Sequence, residues 1–381
     1  MDYKQLKEDI IAYSKSIGIN KIGFAGAHPF SEMKNLLLRQ QALGYQSGFE
    51  EKDIDKRTDP SLIFEEPRSI IAIALAYPSR LKDAPRSVRG ERRGIFCRAS
   101  WGTDYHVLVR EKLEQLGKYI DSRVPEARFK FMVDTGELVD RAVAERAGIG
   151  WSGKNCSIIT PEFGSYVYLG EMITNLPFEP DEPIYDQCGE CRKCIDICPT
   201  GALVQPGQLN AQRCIAFLTQ TKGILPDEFR GKLGNRLYGC DTCQTVCPKN
   251  KGMNFEGHPK MKPDPEVVKP LLLPLLQISN REFREKFGEI AGSWRGKKPI
   301  QRNAIIALAH FKEESAVDEL IKVLRKDVRP DIRGIAAWAL GKIGGEEAKA
   351  ALLEAREIEQ DETALREIDK GLAFYVVTDE V

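Results

Sequence analysis

The sequence predicts an α/β domain, a cysteine-rich insert and an all-α repeat, in that order. Three observations carry this. Apolar strand-like runs alternate with amphipathic segments over the first 180 residues. Eight of the ten cysteines then fall within 60 positions. Past residue 260 a helix-forming pattern repeats at an offset of 32. The expected boundaries are 1–180, 181–260 and 261–381.

The elements follow in order. Leu6, Ile10, Ile11 and Ile17 have helical spacing, and KIGFAGA (21–27) is a short apolar strand. SIIAIALAY (69–77) has the length and continuous apolarity of a buried strand. YHVLVREKLEQLGKYI (105–120) is an amphipathic helix, FKFMVD (129–134) a strand, and GELVDRAVAERAG (136–148) the next helix. CSIIT (156–160) and YVYLGEMIT (166–174) read as a hairpin around PEFGS. PFEPDEPIYDQ (177–187) reads as a linker. In the last third, 304–324 aligns with 336–355, each unit reading as two short helices. Stacked helix pairs of this length form a HEAT-like solenoid.

The cysteine spacing is the sharpest chemical signal. Cys188-x2-Cys191-x2-Cys194-x3-Cys198-Pro199 is the bacterial ferredoxin run. Cys240-x2-Cys243-x3-Cys247-Pro248 follows, with Cys214 well upstream. Two-residue gaps let three thiolates of one loop reach three corners of a cubane, while the fourth cysteine serves the other cluster. Cluster one therefore takes Cys188, Cys191, Cys194 and Cys247. Cluster two takes Cys240, Cys243, Cys198 and, by elimination, Cys214. A pair of zinc sites is the alternative, and it leaves the triple cysteine and both Cys-Pro pairs unexplained. Of the other two, Cys156 reads as a small core residue. Cys97, flanked by Arg93 and Arg98, is open between a function and a structural place.

Lys+Arg and Asp+Glu both number 56, which excludes a protein basic along its whole length. Locally the balance is uneven. Residues 281–333 hold thirteen Lys/Arg against nine acids, and 334–381 five against eleven. The basic edges RGKKPIQR (295–302) and RKDVRPDIR (325–333) suit a phosphate backbone, the alternative being a solvated face. No apolar run approaches the roughly 20 residues of a membrane span, and the start lacks a signal pattern. A reducing, cytoplasmic setting follows.

Two clusters imply electron delivery. Nicotinamide, flavin and P-loop motifs are absent, as is D-x-H-x-x-G, so the sequence does not name the electron acceptor. Asp134 is the best acid candidate, ending a strand before Thr135-Gly136. Its other reading is an N-cap for the helix 136–148. His106 reads as a helix residue and His310 as part of the repeat core.

Together these residues resemble the epoxyqueuosine reductase family along essentially the whole chain. The resemblance rests on FMVDTGELVDRAVAERAGIGWSGKNCSIIT (131–160), on QCGECRKCIDICPTGAL (187–203) through YGCDTCQTVCPKN (238–250), and on the C-terminal repeat. It implies an α/β cobalamin-binding domain, a ferredoxin-like double [4Fe–4S] domain and a HEAT-like domain that holds tRNA. It implies reduction of epoxyqueuosine to queuosine at the wobble position of tRNA, with electrons passing from the clusters to cobalamin and Asp134 as proton donor. The cobalamin would have no protein His ligand. Its expected contacts are Arg57, Cys97, Asp134, Lys154, Ile158, Leu169 and Asp241. Arg295, Lys297, Lys298, Arg302 and Arg333 on the basic edges would meet the anticodon stem-loop. A monomer served by an external low-potential electron donor is expected. The alternatives are a corrinoid reductive dehalogenase and a non-enzymatic iron-sulfur electron-transfer module.

Overall fold

The computed structural model describes residues 2–376. Asp379 and Glu380 of the acidic C-terminal tract lie outside the described residues. The chain divides into two compact units. One seam, between Lys262 and Pro263, lies beside the boundary expected at 260, and none lies near 180.

The first unit comprises Met1–Arg80, Trp101–Cys214 and Asp241–Lys262. Its core is a four-stranded sheet of β1 (Lys21–Gly26), β2 (Ser69–Ala76), β3 (Phe129–Met132) and β4 (Val167–Thr174), in the order β1-β2-β4-β3. Every neighbouring pair is antiparallel. All eight residues of β2 are buried, which explains its unbroken apolar sequence. The helix α1 (Tyr3–Ser16) buries Leu6 and Ile10, and α2 (Tyr105–Asp121) buries a longer stripe that includes Leu108, Val109, Leu113 and Leu116. Asp2 and Asp104 cap them, their carboxylates accepting otherwise unpaired backbone N–H groups. Gly170 on β4 lets α2 approach closely, since a Cβ there would lie 2.4 Å from Val109.

Two expectations are corrected here. The hairpin of 156–160 with 166–174 does not form. Ile158–Ile159 pairs instead with Trp151–Ser152, because both edges of β4 are taken by β2 and β3. The helix expected from 136 is α3 (Asp140–Arg146), preceded by a loop. Its N-cap is Val139, so Asp134 is not a helix cap.

The second unit comprises Leu81–Ser100, Ile215–Cys240 and Pro263–Val381. The strand Ile95–Phe96 pairs in parallel with Arg236–Tyr238, which places the basic 81–100 segment in this unit. The repeat is built from α4 (Lys297–His310) with α5 (Val317–Lys326), and α6 (Pro330–Ile343) with α7 (Glu346–Ile358), followed by α8 (Glu362–Val376). Ala307-Leu308 and Ala339-Leu340, equivalent in the repeat, are at most 1% exposed. Arg230 and Glu367 are buried and bonded at 2.6 and 2.9 Å, tying Arg230 to α8. His310 is exposed at the end of α4 rather than in the core. Among the described residues no helix is long and apolar enough to cross a membrane.

Candidate active site and cluster-binding loops

Asp134 sits just past β3, on the loop leading to α3. Its φ is +53°, a left-handed conformation that costs a non-glycine residue roughly 1–2 kcal/mol. Thr135 N–H donates to the Val133 carbonyl in a tight turn. Asp140 Oδ2 accepts the Asp134 N–H at 2.9 Å, and Tyr105 Oη–H donates to Asp134 Oδ2 at 2.8 Å. Tyr105 is held by stacking on Tyr168 (4.6 Å between ring centres), which stacks in turn on Tyr77.

His106 Nε2 lies 3.4 Å from the same Asp134 oxygen, close in charge terms but outside hydrogen-bond geometry. Its Nδ1 meets Asp104 Oδ1 at 2.7 Å. Burial works against an imidazolium here, but the carboxylates of Asp104 and Asp134 outweigh it and push His106 up to about 9. His106 in turn, against the opposing effect of burial, holds Asp134 below the usual carboxylate range. At neutral pH the proton therefore rests on His106, and Asp134, 63% exposed, is a carboxylate. The sequence alone shows Tyr105 and His106 only as helix residues. The available signal is Asp104, a cap two residues before a histidine. Because folding raises the His106 pKa above its unfolded value near 6.5, the stability it contributes is fully present below pH 6.5. It is lost as pH rises through about 9. The melting-temperature advantage of wild type over His106→Gln is expected to shrink across that window in thermal melts.

The four thiols assigned to cluster one, Cys188, Cys191, Cys194 and Cys247, line a single cavity. Burial, with the neighbouring thiols adding to it, pushes Cys194 and Cys247 up. Among the described residues no three His, Cys, Asp or Glu side chains converge on a single ion. Lys154, Asn155 and Ile159 form the wall of the same cavity. Cys198 carries the opposite bias. Burial opposes its charge, but the N–H groups of Leu203, Thr200 and Ala202 lower its thiol, the environment of a thiolate ligand. Cys214 and Cys243 belong to this unit, and Cys240 to the other.

The remaining predicted contacts are dispersed. Burial lowers Arg57, which lies in the field of Glu50, Arg141 and Asp140. Lys154 Nζ donates to the Gly189 carbonyl, and the buried Asn155 Nδ2 beside it has no partner among the described residues. Ile158 is 3% exposed and belongs to the core, so its side chain does not line an open surface. Leu169 is half-buried on β4, and Asp241 precedes the short helix Thr242–Thr245. Cys97, in the second unit, follows the Ile95–Phe96 strand. Its N–H donates to the Tyr238 carbonyl, and its thiol lies 3.9 Å from Ser100 Oγ. Gly239 leaves room for it, since a Cβ there would fall 2.2 Å from Sγ. Cys156 is half-buried at φ +65°, and burial pushes its thiol up against the opposing charge of Arg141.

The basic edge needs one correction. Arg302 is 2% exposed and is a structural residue. Its guanidinium donates to the carbonyls of Leu218, Thr221 and Gly223, whereas its place in a basic edge predicts a solvent-facing side chain. Arg302→Met should leave these carbonyls unmatched. The expected cost is about 3 kcal/mol of stability, measured by denaturant unfolding, with no separate loss of RNA affinity in the folded protein. The other four are half-buried and locally anchored. Arg295 donates to Gln220 and lies over Trp294, Lys297 donates to Ile278, Lys298 pairs with Asp331, and Arg333 pairs with Glu359 through two bonds of 2.7 Å. Trp294, 53% exposed beside Arg295, carries no sequence signal that singles it out.

Three family models match the chain. That of the 4Fe-4S double cluster binding domain covers 187–250, that of Epoxyqueuosine reductase QueG, DUF1730 covers 57–135, and that of HEAT repeats covers 289–372. The middle of the chain is thus a two-[4Fe–4S]-cluster domain. An epoxyqueuosine reductase of Bacillus anthracis is 69% identical over 98% of both chains. That of Bacillus subtilis is 67% identical over 98% of this chain and 96% of its own length. A crystal structure of an epoxyqueuosine reductase with an epoxyqueuosine-modified tRNA-Tyr stem loop superposes with a TM-score of 0.97, at 67% identity, covering 98% of this chain and 99% of that one. Another, from Bacillus subtilis, has its Asp134 catalytic loop swung out of the active site. It superposes at 0.96 with 66% identity, covering 98% of this chain and all of that one. This chain belongs to the epoxyqueuosine reductase family.

Proposed function

We propose that this protein reduces epoxyqueuosine to queuosine in the anticodon loop of tRNA, in the cytoplasm. It would act as a monomer fed by an external low-potential electron donor. The observation that carries the reading is the Asp134 site, found in a chain similar over 98% of its length to epoxyqueuosine reductases. The stem loop bound to the related structure supports a tRNA substrate.

Turning an epoxide into an alkene takes two electrons and two protons and releases one water. Cobalamin and the two clusters, when bound, supply electrons in single steps and a cobalt centre able to reduce an epoxide carbon. Cys188, Cys191, Cys194 and Cys247 would hold one cluster. Cys240, Cys243, Cys198 and Cys214 would hold the other, an assignment that rests on spacing. Arg57, Cys97, Lys154, Leu169, Asp241 and the backbone of Ile158 would meet the cobalamin. The unpartnered Asn155 Nδ2 is a donor suited to a corrin carboxamide, and its segment walls the cluster-one cavity.

The chain's own residues manage the protons. Asp134 delivers to the epoxide oxygen. His106 holds the resting proton 3.4 Å behind it and passes it to the Asp134 carboxylate for the first transfer, and solvent at the exposed carboxyl supplies the second. Tyr105 fixes the carboxyl's orientation. Exposed Trp294, with Arg295 beside it, offers a base-stacking surface on the repeat, alongside Lys297, Lys298 and Arg333. The test is oxygen-free reconstitution with cobalamin and a reductant, followed by nucleoside mass analysis of epoxyqueuosine-containing tRNA. Queuosine is the expected product, and no conversion refutes the reading.

A further inference from the structure

Gln244 stands between two of the thiols assigned to the clusters, Cys243 and Cys247. Its amide nitrogen lies 3.0 Å from both the carbonyl and the hydroxyl of Ser165, and 3.3 Å from Tyr77 Oη. Buried Asn250 ties the same loop down. Its Oδ1 accepts the Ser165 N–H at 2.7 Å, and its Nδ2 donates to Ser165 Oγ and to the Gln244 carbonyl. Gly164 leaves room for this contact, since a Cβ there would fall 2.1 Å from Asn250 Oδ1. Ser165 leads directly into β4 and so to Tyr168. Tyr168 stacks on Tyr77 at 4.4 Å, and on Tyr105 at 4.6 Å with the ring planes 8° apart. Tyr105 ends the series with its hydroxyl on Asp134 Oδ2 at 2.8 Å. All of these residues belong to the first unit.

We propose that Gln244 and Tyr168 are positioning residues for Asp134. The loop that carries the cluster thiols fixes the tyrosine stack, and the stack fixes the Tyr105 hydroxyl on the Asp134 carboxyl. That carboxyl is 63% exposed on a left-handed residue, so its own surroundings confine it little. Tyr105 is only half-buried, and packing alone leaves its ring room to tilt. Tyr168 and Tyr77 are 5% and 3% exposed and have no such room. Near-parallel stacking on a buried ring restrains the tilt of Tyr105 and with it the swing of its hydroxyl. The far end of the stack is anchored twice. The Tyr77 N–H donates to the Tyr166 carbonyl, and its hydroxyl meets Gln244. The proton donor is therefore in place only when the loop that holds the electron-carrying thiols is in place.

The effect on catalysis rests on the proposed reductase reading, whereas the placement of the Asp134 carboxyl does not. Two measurements therefore separate the claims. His106 Nε2 lies 3.4 Å from the same Asp134 oxygen, so an NMR titration of His106 in the cluster-loaded protein, without tRNA, follows where that carboxyl is. Tyr168→Leu should release the carboxyl and bring the His106 pKa below about 9, while Tyr168→Phe, which keeps the ring, should not. Gln244→Met, which removes the amide donor, should lower it too, with iron content unchanged. Should Gln244→Met lose iron, Tyr77→Phe breaks the same link from outside the loop. A wild-type His106 pKa in Tyr168→Leu overturns the stack's part, and one in the Gln244→Met or Tyr77→Phe variant overturns that of Gln244, whatever the activity. Turnover supplies the second readout. Tyr168→Leu should lower kcat about 100-fold, the scale of a misplaced catalytic group, with KM for the tRNA unchanged, and Tyr168→Phe should recover most of that loss. Wild-type turnover in the leucine variant, or equal loss in both variants, overturns the positioning role.

Discussion

Replacing Asp134 by Asn is expected to reduce conversion of epoxyqueuosine by about 100- to 10,000-fold, the range of a general acid's contribution. Asparagine keeps the size of the side chain and can still accept the Tyr105 hydroxyl, and its backbone N–H can still reach Asp140. It cannot carry a transferable proton. The loss should fall on kcat with tRNA affinity unchanged, and iron content and cluster spectra should match wild type. His106 should respond as well, since the anionic neighbour that helps raise its pKa is gone. An NMR titration of His106 in Asp134→Asn should therefore report a pKa below about 9. Near-normal turnover in this variant would remove Asp134 from the proton path.

Cys247→Ser should have an equally large effect by another route. Cys247 lies 59 positions from Cys188, yet the two line one cavity with Cys191 and Cys194. Removing it should cost the cluster held by the first motif, although the mutation lies in the second. Iron and sulfide content should fall by about half and turnover should cease, while the other cluster remains visible by electron paramagnetic resonance. Loss of the other cluster alone would reverse the ligand assignment.

How far the sequence could be read depended on the range of the interactions involved. The cysteine spacing was legible because a cubane dictates local ligand geometry, and the four thiols assigned to cluster one line a single cavity. The repeat was legible because Ala307-Leu308 and Ala339-Leu340 fill equivalent core positions. Asp134 could be singled out, but not its surroundings. Tyr105 is 29 residues away, and only the packing of α2 on the sheet brings its hydroxyl to the carboxylate. Strand direction was likewise invisible, since the pairing of β2 with β4 joins segments far apart in the chain, Ser69 meeting Thr174. Arg302 misleads for a related reason. A basic residue in a helix's first turns looks solvated until the 218–223 carbonyls close over it.

The alternation of chain segments between the two units bears on how the protein is made. Each unit is assembled from three separated stretches. The first cannot close until residues 241–262 have been synthesised, and the second needs 81–100 held available until the C-terminal helices emerge. Folding during translation therefore cannot proceed one finished domain after another, the common order for multidomain chains. The early 81–100 segment must wait, unpaired and rich in arginine, for the Arg236–Tyr238 strand that will receive it.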